Sequence, residues 1–315
     1  MKKAVIISTI IFVCLFCVGA VLYYCNTPTL DGVELDFVIN DTLPDGEGKS
    51  ATVILLGGQS NASGCSRDDY LKMSVSEEKY AEYEQGYDNV YINYFATGTN
   101  ISEGFVRCAR AQGEAGGYFG PELGMAERLN ELYPDESFFI IKYAWGGSNL
   151  YEQWRSPSDI GRVGELYRAF TEFAHVSIDY LVSKNYDVKI VGMCWMQGES
   201  DSFGPDVANA YGNNLKCLIR DVRKEFSDYA GKDGIAFIDA YVSDSSYWTY
   251  YSTVNEKKQE VADFSSINFV IDTISHGLTY QNEPLDTPDL AHYDAISQIK
   301  LGQLFIDELA KHIKQ

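Results

Sequence analysis

Two short segments, far apart in the chain, contain residue types that could carry out nucleophilic catalysis. The first is Gly57–Asn61 (GGQSN), which follows a short apolar run. Glycines after a strand allow a tight turn, and a serine in that turn would project its hydroxyl group from the edge of a sheet. The second is Asp289–His292 (DLAH), in which a carboxylate three residues before an imidazole could orient it as a base. Each segment alone also fits a turn without chemistry, and His276 is a rival candidate for the base.

Two further segments contain groups that could hold a negatively charged oxygen. Ala144–Asn149 (AWGGSN) has adjacent glycines, whose backbone N–H groups can approach a bound carbonyl oxygen closely. Trp195–Asp201 (WMQGESD) offers Gln197 as a neutral amide donor. Its two acids, Glu199 and Asp201, also fit solvated carboxylates next to a helix. Neither segment is specific by itself.

Short apolar runs alternate with longer helical patterns from residue 51 onward, which predicts an α/β domain with a parallel sheet. Predicted strands cover Thr52–Leu56, Val90–Phe95, Phe138–Tyr143, Lys189–Met196 and Ile235–Ala240. Predicted helices run over about 120–133, 163–183, 207–226 and 295–313. Functional sites of such sheets lie at the carboxyl ends of the strands. The candidate segments after residues 56, 143 and 194 therefore meet at one edge.

The composition argues against nucleic acid and anionic membrane surfaces as partners. The 315-residue chain has a net charge of −20 and a pI near 4.5, which repels phosphate groups. Cys65, Cys108, Cys194 and Cys217 follow the N-terminal segment without metal-ligand spacing, so no metal site is expected. In an oxidising compartment these four could form disulfides, with three possible pairings, although the apolar surroundings of Cys194 predict a buried free thiol.

The N-terminus predicts a membrane anchor. Lys2 and Lys3 precede residues 4–24, which carry no charge and are long enough to cross a bilayer as a helix. The positive flank leaves the N-terminus in the cytoplasm and exports the rest. A cleaved signal peptide is the alternative, but bulky residues occupy the position where cleavage needs small ones. We therefore expect a signal anchor over 1–25, a stalk over 26–50 and an extracellular domain over 51–315.

Taken in order, the motifs resemble one known group of enzymes. The set is Gly58–Asn61, Gly120-Pro121, Gly146–Asn149, Gln197–Asp201 and Asp289 with His292. It resembles the sialate O-acetylesterase-like branch of the SGNH hydrolases, which also contains plant and microbial carbohydrate acetylesterases. The resemblance extends from about residue 51 to the C-terminus. It implies a three-layer α/β/α sandwich with a flavodoxin-like parallel sheet.

The resemblance also implies roles for individual residues. Ser60 would be the nucleophile, His292 the base and Asp289 its orienting acid, with Glu199 as an alternative acid or substrate contact. An oxyanion hole would combine the N–H groups of Ser60 and Gly147 (or Gly146) with the side chain of Gln197. Candidate substrate contacts are Gln59, Asn61, Asn149 and Trp195. No metal, organic cofactor or obligate protein partner is expected.

The expected activity is hydrolysis of acetyl esters on an extracellular carbohydrate. Two alternatives remain open: an esterase that acts on lipid or thioester substrates, and a carbohydrate-binding protein that has lost catalysis. Retention of the whole catalytic set argues against the second. The segments Asn61–Asn89 and Val242–Pro288 match no motif and are expected to shape the substrate cleft.

Overall fold

The computed structural model describes residues 37–97, 100–280, 283 and 289–313. Its strands are β1 Ser50–Gly58, β2 Ser66–Arg67, β3 Tyr87–Ala96, β4 Asn100–Ile101, β5 Val106–Cys108, β6 Tyr118–Phe119, β7 Phe138–Ala144, β8 Asp187–Met196, β9 Ala236–Ala240 and β10 Asn268–Ile271. Its helices are α1 Ser60–Ser63, α2 Asp68–Ser74, α3 Glu77–Gln85, α4 Pro121–Leu132, α5 Glu165–Ser183, α6 Pro205–Glu225, α7 Tyr251–Ala262 and α8 Ala295–Ile313.

A mostly parallel eight-stranded sheet forms the centre of the domain, in the order β10-β9-β8-β1-β7-β3-β4, with β5 also paired to β3. The strands from β10 to β3 are parallel, and β4 and β5 are antiparallel to β3. The prediction of an α/β domain with a parallel sheet is confirmed. Every predicted strand has a counterpart, whereas β4, β5 and β10 of this sheet were not predicted.

The flavodoxin-like order holds for five strands and is extended by a sixth. Without β3, the parallel strands β7-β1-β8-β9-β10 follow the 2-1-3-4-5 order of flavodoxin. The chain inserts β3 between β1 and β7 and places it outside β7 at the edge of the parallel strands. Because β1 and β7 remain neighbours, their carboxyl ends, and the loops that follow them, stay side by side.

Helices cover both faces of the sheet. On one face, α4 and α8 pack against apolar side chains of β1 and β7 such as Ile54 and Ile140. On the other, α5 packs Phe173 against Tyr143 of β7, and Phe170 contacts Phe226 just after α6. Strand β7 is buried along its whole length because both faces are covered.

The first of these faces is held by close backbone packing and a buried ion pair. A Cβ on Gly124 of α4 would lie 1.9 Å from the Ile299 carbonyl oxygen of α8, so a side chain here would separate the helices. Glu122 of α4 reaches into the sheet, where its carboxylate lies 2.8 Å from the Lys142 ammonium of β7, and both side chains are fully buried. These contacts fix α8, and therefore the residues just before it, relative to the sheet.

The predicted anchor over residues 1–25 lies outside the described residues. Within the described ranges, no helix combines the length and apolar composition needed to cross a membrane. Residues 37–49, which the sequence analysis assigned to the stalk, pack on the domain: Phe37 contacts Phe95 and Phe173, and Leu43 is buried. The four cysteines discussed above are free thiols, and Cys194 is buried as predicted.

Candidate active site

The turn that carries Ser60, the candidate nucleophile, lies between the ends of the two strands that flank β1. After β1, the N–H of Gln59 donates to Met196 O at 2.9 Å, and the N–H of Trp145 donates to Gly58 O at 3.0 Å. Gly58 has a φ of +139°, and a Cβ there would lie 2.0 Å from Met196 O, so the turn requires glycine. Ser60 follows as the first residue of α1 and is 7% exposed. Its N–H, at the start of a helix, has no intrahelical acceptor.

His292 and Asp289 form a close pair in the loop before α8. The distance between His292 Nδ1 and Asp289 Oδ2 is 2.7 Å, while Asp289 Oδ1 accepts the Ala291 N–H at 2.8 Å. Burial would raise the pKa of Asp289, but the hydrogen bond and charge of His292, together with backbone N–H groups, lower it below the usual carboxyl range. An ionised carboxylate on Nδ1 holds the proton there and leaves Nε2 to act as a base.

Asn61 connects this loop to the nucleophile turn. Its side-chain Oδ1 accepts the Tyr293 N–H at 3.0 Å, and its Nδ2 lies 3.3 Å from Ala291 O. These two hydrogen bonds hold the residues on either side of His292, Ala291 and Tyr293, in place. Its backbone carbonyl also accepts a hydrogen bond of 2.6 Å from Gln298 Nε2 of α8. Since Asn61 directly follows Ser60, its side chain sets the position of the His292 loop relative to Ser60.

Glu199 lies beneath this connection. Its Oε1 accepts a hydrogen bond of 2.7 Å from Asn61 Nδ2, and its Oε2 has no hydrogen-bond partner among the described residues. Burial raises the pKa of Glu199, and the bond from Asn61 and the charge of His292 offset part of the rise. The interpretation of this acid as a solvated group is therefore incorrect, because the side chain is fully buried. The carboxylate acts on the His292 loop through Asn61.

Gln197 occupies the centre of a buried network. Its Nε2 donates to Asp201 Oδ2 at 2.6 Å and to Ser148 O at 3.1 Å, with Gln59 Oε1 at 3.3 Å. Its Oε1 accepts from the Tyr211 hydroxyl at 3.1 Å, which fixes the orientation of the amide. A substrate oxyanion would have to replace one of the protein acceptors of Nε2. In this structure the amide holds together the three loops that follow β1, β7 and β8.

Asp201 is fully buried and connects the loops that follow β7 and β8 by hydrogen bonds. Its carboxylate accepts N–H groups from Leu150 at 2.8 Å and from Tyr151 at 3.1 Å, in addition to the bond from Gln197. Burial raises the pKa of Asp201 to about 6, and these hydrogen bonds limit the rise. The acid therefore orders the end of the glycine-rich loop after β7.

The glycine-rich loop presents one backbone donor. The Gly146 N–H donates to Thr97 Oγ1 at 3.0 Å and is therefore occupied. Gly147 has a φ of +69° and is exposed, and its N–H has no acceptor within the described part of the chain. Of the two glycines considered from the sequence, Gly147 is thus the one whose N–H remains available to a ligand.

The four residues predicted to contact substrate are placed in the interior. Their exposures are 1% for Gln59, 3% for Asn61, 6% for Asn149 and 0% for Trp195. The Gln59 side chain accepts the Ser200 N–H at 3.1 Å, and Asn149 Oδ1 accepts the Glu152 N–H at 2.7 Å. The ring of Trp195 packs 5.0 Å from that of Trp154. In this structure these side chains support the loops of the site rather than line an open surface.

A buried lysine behind the site was not identified from the sequence. Lys258 of α7 donates to Asp239 Oδ1 of β9 and to Gln197 O, both at 2.6 Å. Burial raises the pKa of Asp239 to about 6, and the Lys258 charge limits the rise. The only sequence signal was polar residues at the end of β9 and inside a helix, which also fits solvated positions. The rival base His276 is exposed in the turn after β10.

The chain matches the family described as carbohydrate esterase, sialic acid-specific acetylesterase, over residues 50–311. This span is most of the chain, and the protein therefore belongs to this family of carbohydrate esterases. A comparison with curated proteins finds no match.

Solved structures share the fold. A protein from Arabidopsis thaliana is similar at 18% identity and a TM-score of 0.60, with 85% of this chain and 99% of that chain covered. NanS is similar at 14% identity and a TM-score of 0.59, with 87% of this chain and 99% of that chain covered. Identities this low support a common fold and do not transfer a substrate.

Proposed function

We propose that the protein is a serine-dependent O-acetylesterase that removes acetyl groups from an extracellular glycan. Membership of the carbohydrate esterase family supports the reaction class. The observation that carries the proposal is the pairing of His292 with Asp289 at 2.7 Å, in a loop that is hydrogen-bonded to Asn61, the residue after Ser60. This pairing supports a serine esterase mechanism, in which an acid orients the base that deprotonates the nucleophile.

The proposed reaction is a two-step acyl transfer. His292 Nε2 takes the hydroxyl proton of Ser60 as its Oγ attacks the acetyl carbonyl carbon, and the N–H groups of Ser60 and Gly147 bind the oxyanion. Collapse of this intermediate breaks the ester bond, and His292 returns the proton to the departing sugar oxygen. Water, deprotonated by His292, then attacks the acetyl-enzyme and releases acetate. Gln197 would join the oxyanion hole by exchanging one of its protein acceptors.

We further propose that residues 4–24 anchor the protein in the membrane with the catalytic domain outside the cell. The uncharged length of this segment and its N-terminal lysines support this arrangement.

Hydrolysis of p-nitrophenyl acetate and p-nitrophenyl octanoate by the full chain would test the chemistry. Ser60→Ala should lower kcat on the acetate ester by roughly 10⁴–10⁶. Ser183→Ala, at the amino-end edge of the sheet, should retain wild-type turnover. Acetate turnover that depends on Ser60, with little octanoate turnover, is the expected result. Equal turnover of octanoate would instead favour a lipid or thioester substrate, and no Ser60-dependent turnover of either ester would overturn the proposed mechanism.

A further inference from the structure

Three aromatic side chains pack together on the surface next to the candidate active site. Phe203, Tyr247 and Trp248, which we call the aromatic platform, contact one another edge to face, with ring centroids 4.8–5.9 Å apart. Phe203 is 50% exposed and Tyr247 is 42% exposed, whereas Trp248 beneath them is 5% exposed. Mutual packing restricts the rings, yet two of them keep large areas open to solvent. Clustered exposed aromatic surface of this kind marks a binding site.

The platform is connected to the nucleophile side of the site. Phe203 ends a short 3₁₀ turn, Ser200–Phe203, whose first N–H donates to Gln59 Oε1 at 3.1 Å. Gln59 immediately precedes Ser60. Within the same turn, Ser202 O accepts the Tyr250 N–H at 2.8 Å, which joins the turn to the loop that carries Tyr247 and Trp248.

The platform is also connected to the base side of the site. Its loop begins after β9 at Tyr241, whose carbonyl oxygen accepts a hydrogen bond of 3.1 Å from the hydroxyl of Tyr293, the neighbour of His292. The Asn255 side chain then pairs with both the N–H and the carbonyl of Val242, each at 2.8 Å. The loop is therefore fixed at its start, at the carboxyl edge of the sheet where Ser60 and His292 also lie.

We propose that the aromatic platform is a sugar-binding subsite for the glycan whose acetyl ester is hydrolysed at Ser60, an inference that rests on the proposed function. A pyranose ring has an apolar face that can lie on Phe203 and hydroxyl groups around its edge. The loop beside it also presents hydroxyl groups, because Ser246 and Thr249 are exposed. Exposed aromatic rings beside exposed hydroxyl groups match a carbohydrate, which combines apolar faces with hydroxyl groups.

The composition of the loop argues against an acyl chain as the occupant. Residues 243–250 read SDSSYWTY, with Asp244 exposed and hydroxyl groups at most positions. An acyl chain requires an enclosed apolar channel, whereas this surface is open, partly polar and acidic. A neutral sugar tolerates all three conditions. The overall charge of −20 also disfavours strongly anionic polymers.

Kinetics of the full chain on two kinds of substrate would test the subsite. One is p-nitrophenyl acetate, which has no sugar; the other is whichever of acetylated xylotriose, acetylated cellotriose and 9-O-acetylated sialyllactose the wild type hydrolyses fastest. Phe203→Ala and Tyr247→Ala should each raise KM for the sugar substrate about tenfold, a loss of about 1.4 kcal/mol of binding free energy, with kcat nearly unchanged. Turnover of p-nitrophenyl acetate should stay within about twofold, which also shows that the variants are folded.

Two controls separate ring stacking from general surface effects. Phe203→Trp keeps an aromatic face and should keep KM within about threefold of the wild type. Phe264→Ala removes a 74% exposed ring between α7 and β10, at the opposite edge of the sheet. It should change neither KM for the sugar substrate nor turnover of p-nitrophenyl acetate. If a sugar substrate is hydrolysed but Phe203→Ala and Tyr247→Ala leave its KM unchanged, the subsite is overturned while the esterase function stands. If Ser60-dependent turnover of p-nitrophenyl acetate occurs and no sugar substrate is hydrolysed, the carbohydrate assignment itself fails.

Discussion

The connection made by Asn61 between the two halves of the site can be cut with one substitution. Asn61→Ala removes the hydrogen bonds to Glu199 and Ala291 and the one from the Tyr293 N–H, at 2.7, 3.3 and 3.0 Å. It removes one hydrogen-bond donor from the buried Glu199 carboxylate and the acceptor of the buried Tyr293 N–H. Each such group costs roughly 1–3 kcal/mol, so the free energy of unfolding should fall by about 2–6 kcal/mol. Within the usual range of roughly 5–15 kcal/mol, a domain more stable than about 6 kcal/mol would be weakened but would stay folded.

The catalytic effect should exceed what the loss of stability explains. Without Asn61 the loop that carries His292 is held less closely, and a displacement of about 1 Å at a reacting group costs on the order of 10² in rate. We expect kcat on p-nitrophenyl acetate to fall 10- to 100-fold, measured at a temperature where urea titration shows the variant folded. Asn268→Ala is the matched control, because Asn268 is also buried and accepts a hydrogen bond of 2.7 Å from Arg223 at the far edge of the sheet. It should lose stability and keep kcat.

A paired substitution tests whether Asn61 acts together with Glu199. Asn61→Asp keeps an acceptor for the Tyr293 N–H but sets a second carboxylate against Glu199, so it should lower both stability and kcat. Adding Glu199→Gln restores a donor opposite an acceptor, and the double variant should recover part of the lost stability and rate. A folded Asn61→Ala variant with kcat within twofold of the wild type would refute the positioning role. Strictly additive effects in the pair would refute the coupling.

Two predictions concern the buried charges. Burial raises the pKa of Asp201 to about 6, so the native state binds the carboxyl proton of Asp201 more tightly than the unfolded state does. This proton therefore stabilises the native state below about pH 4, and the stabilisation is lost as the pH rises through 6. Relative to the wild type, Asp201→Asn should therefore gain roughly 2–3 kcal/mol between pH 4 and 7 in urea titrations, and parallel pH profiles would contradict this. Glu122→Gln leaves the buried Lys142 ammonium without its counter-charge and should cost roughly 3–5 kcal/mol in thermal unfolding. Glu131 is an exposed acid of the same helix, and Glu131→Gln should lower the free energy of unfolding by less than about 1 kcal/mol. Equal losses of stability in the two variants would show that the buried pair stabilises the fold no more than an exposed one does.

The strands that could be predicted are those buried by helices on both faces. Continuous apolar runs such as β7 have few alternatives to a central strand, and the helices α5 and α8 follow from their apolar spacing. Strand β10 was missed because its four residues, Asn268–Ile271, are too short to show a period. The position of β3 outside β7 depends on the packing of the whole sheet and leaves no local signal.

In the site, local patterns predicted pairs but not burial. Asp289 and His292 are three residues apart, so their spacing alone indicated that they could meet. Asn61 and Tyr293 are 232 residues apart, and only the folded chain shows that they share a hydrogen bond. The burial of Asp201 could not be predicted for the same reason. An acidic residue after a strand fits a solvent-exposed position unless the loops that cover it are known. Predicted substrate contacts such as Gln59 proved to be interior for this reason.

The separation between Asn61 and Tyr293 also sets when activity can arise during protein synthesis. At about 5–20 residues per second, the ribosome releases the segment with Ser60 roughly 10–50 s before the segment with His292. Throughout this interval the nascent chain contains Ser60 but has no His292 to activate it. A nascent chain stalled anywhere before residue 292 should therefore be inert towards esters, and the onset of hydrolysis would report that the two ends of the domain have met.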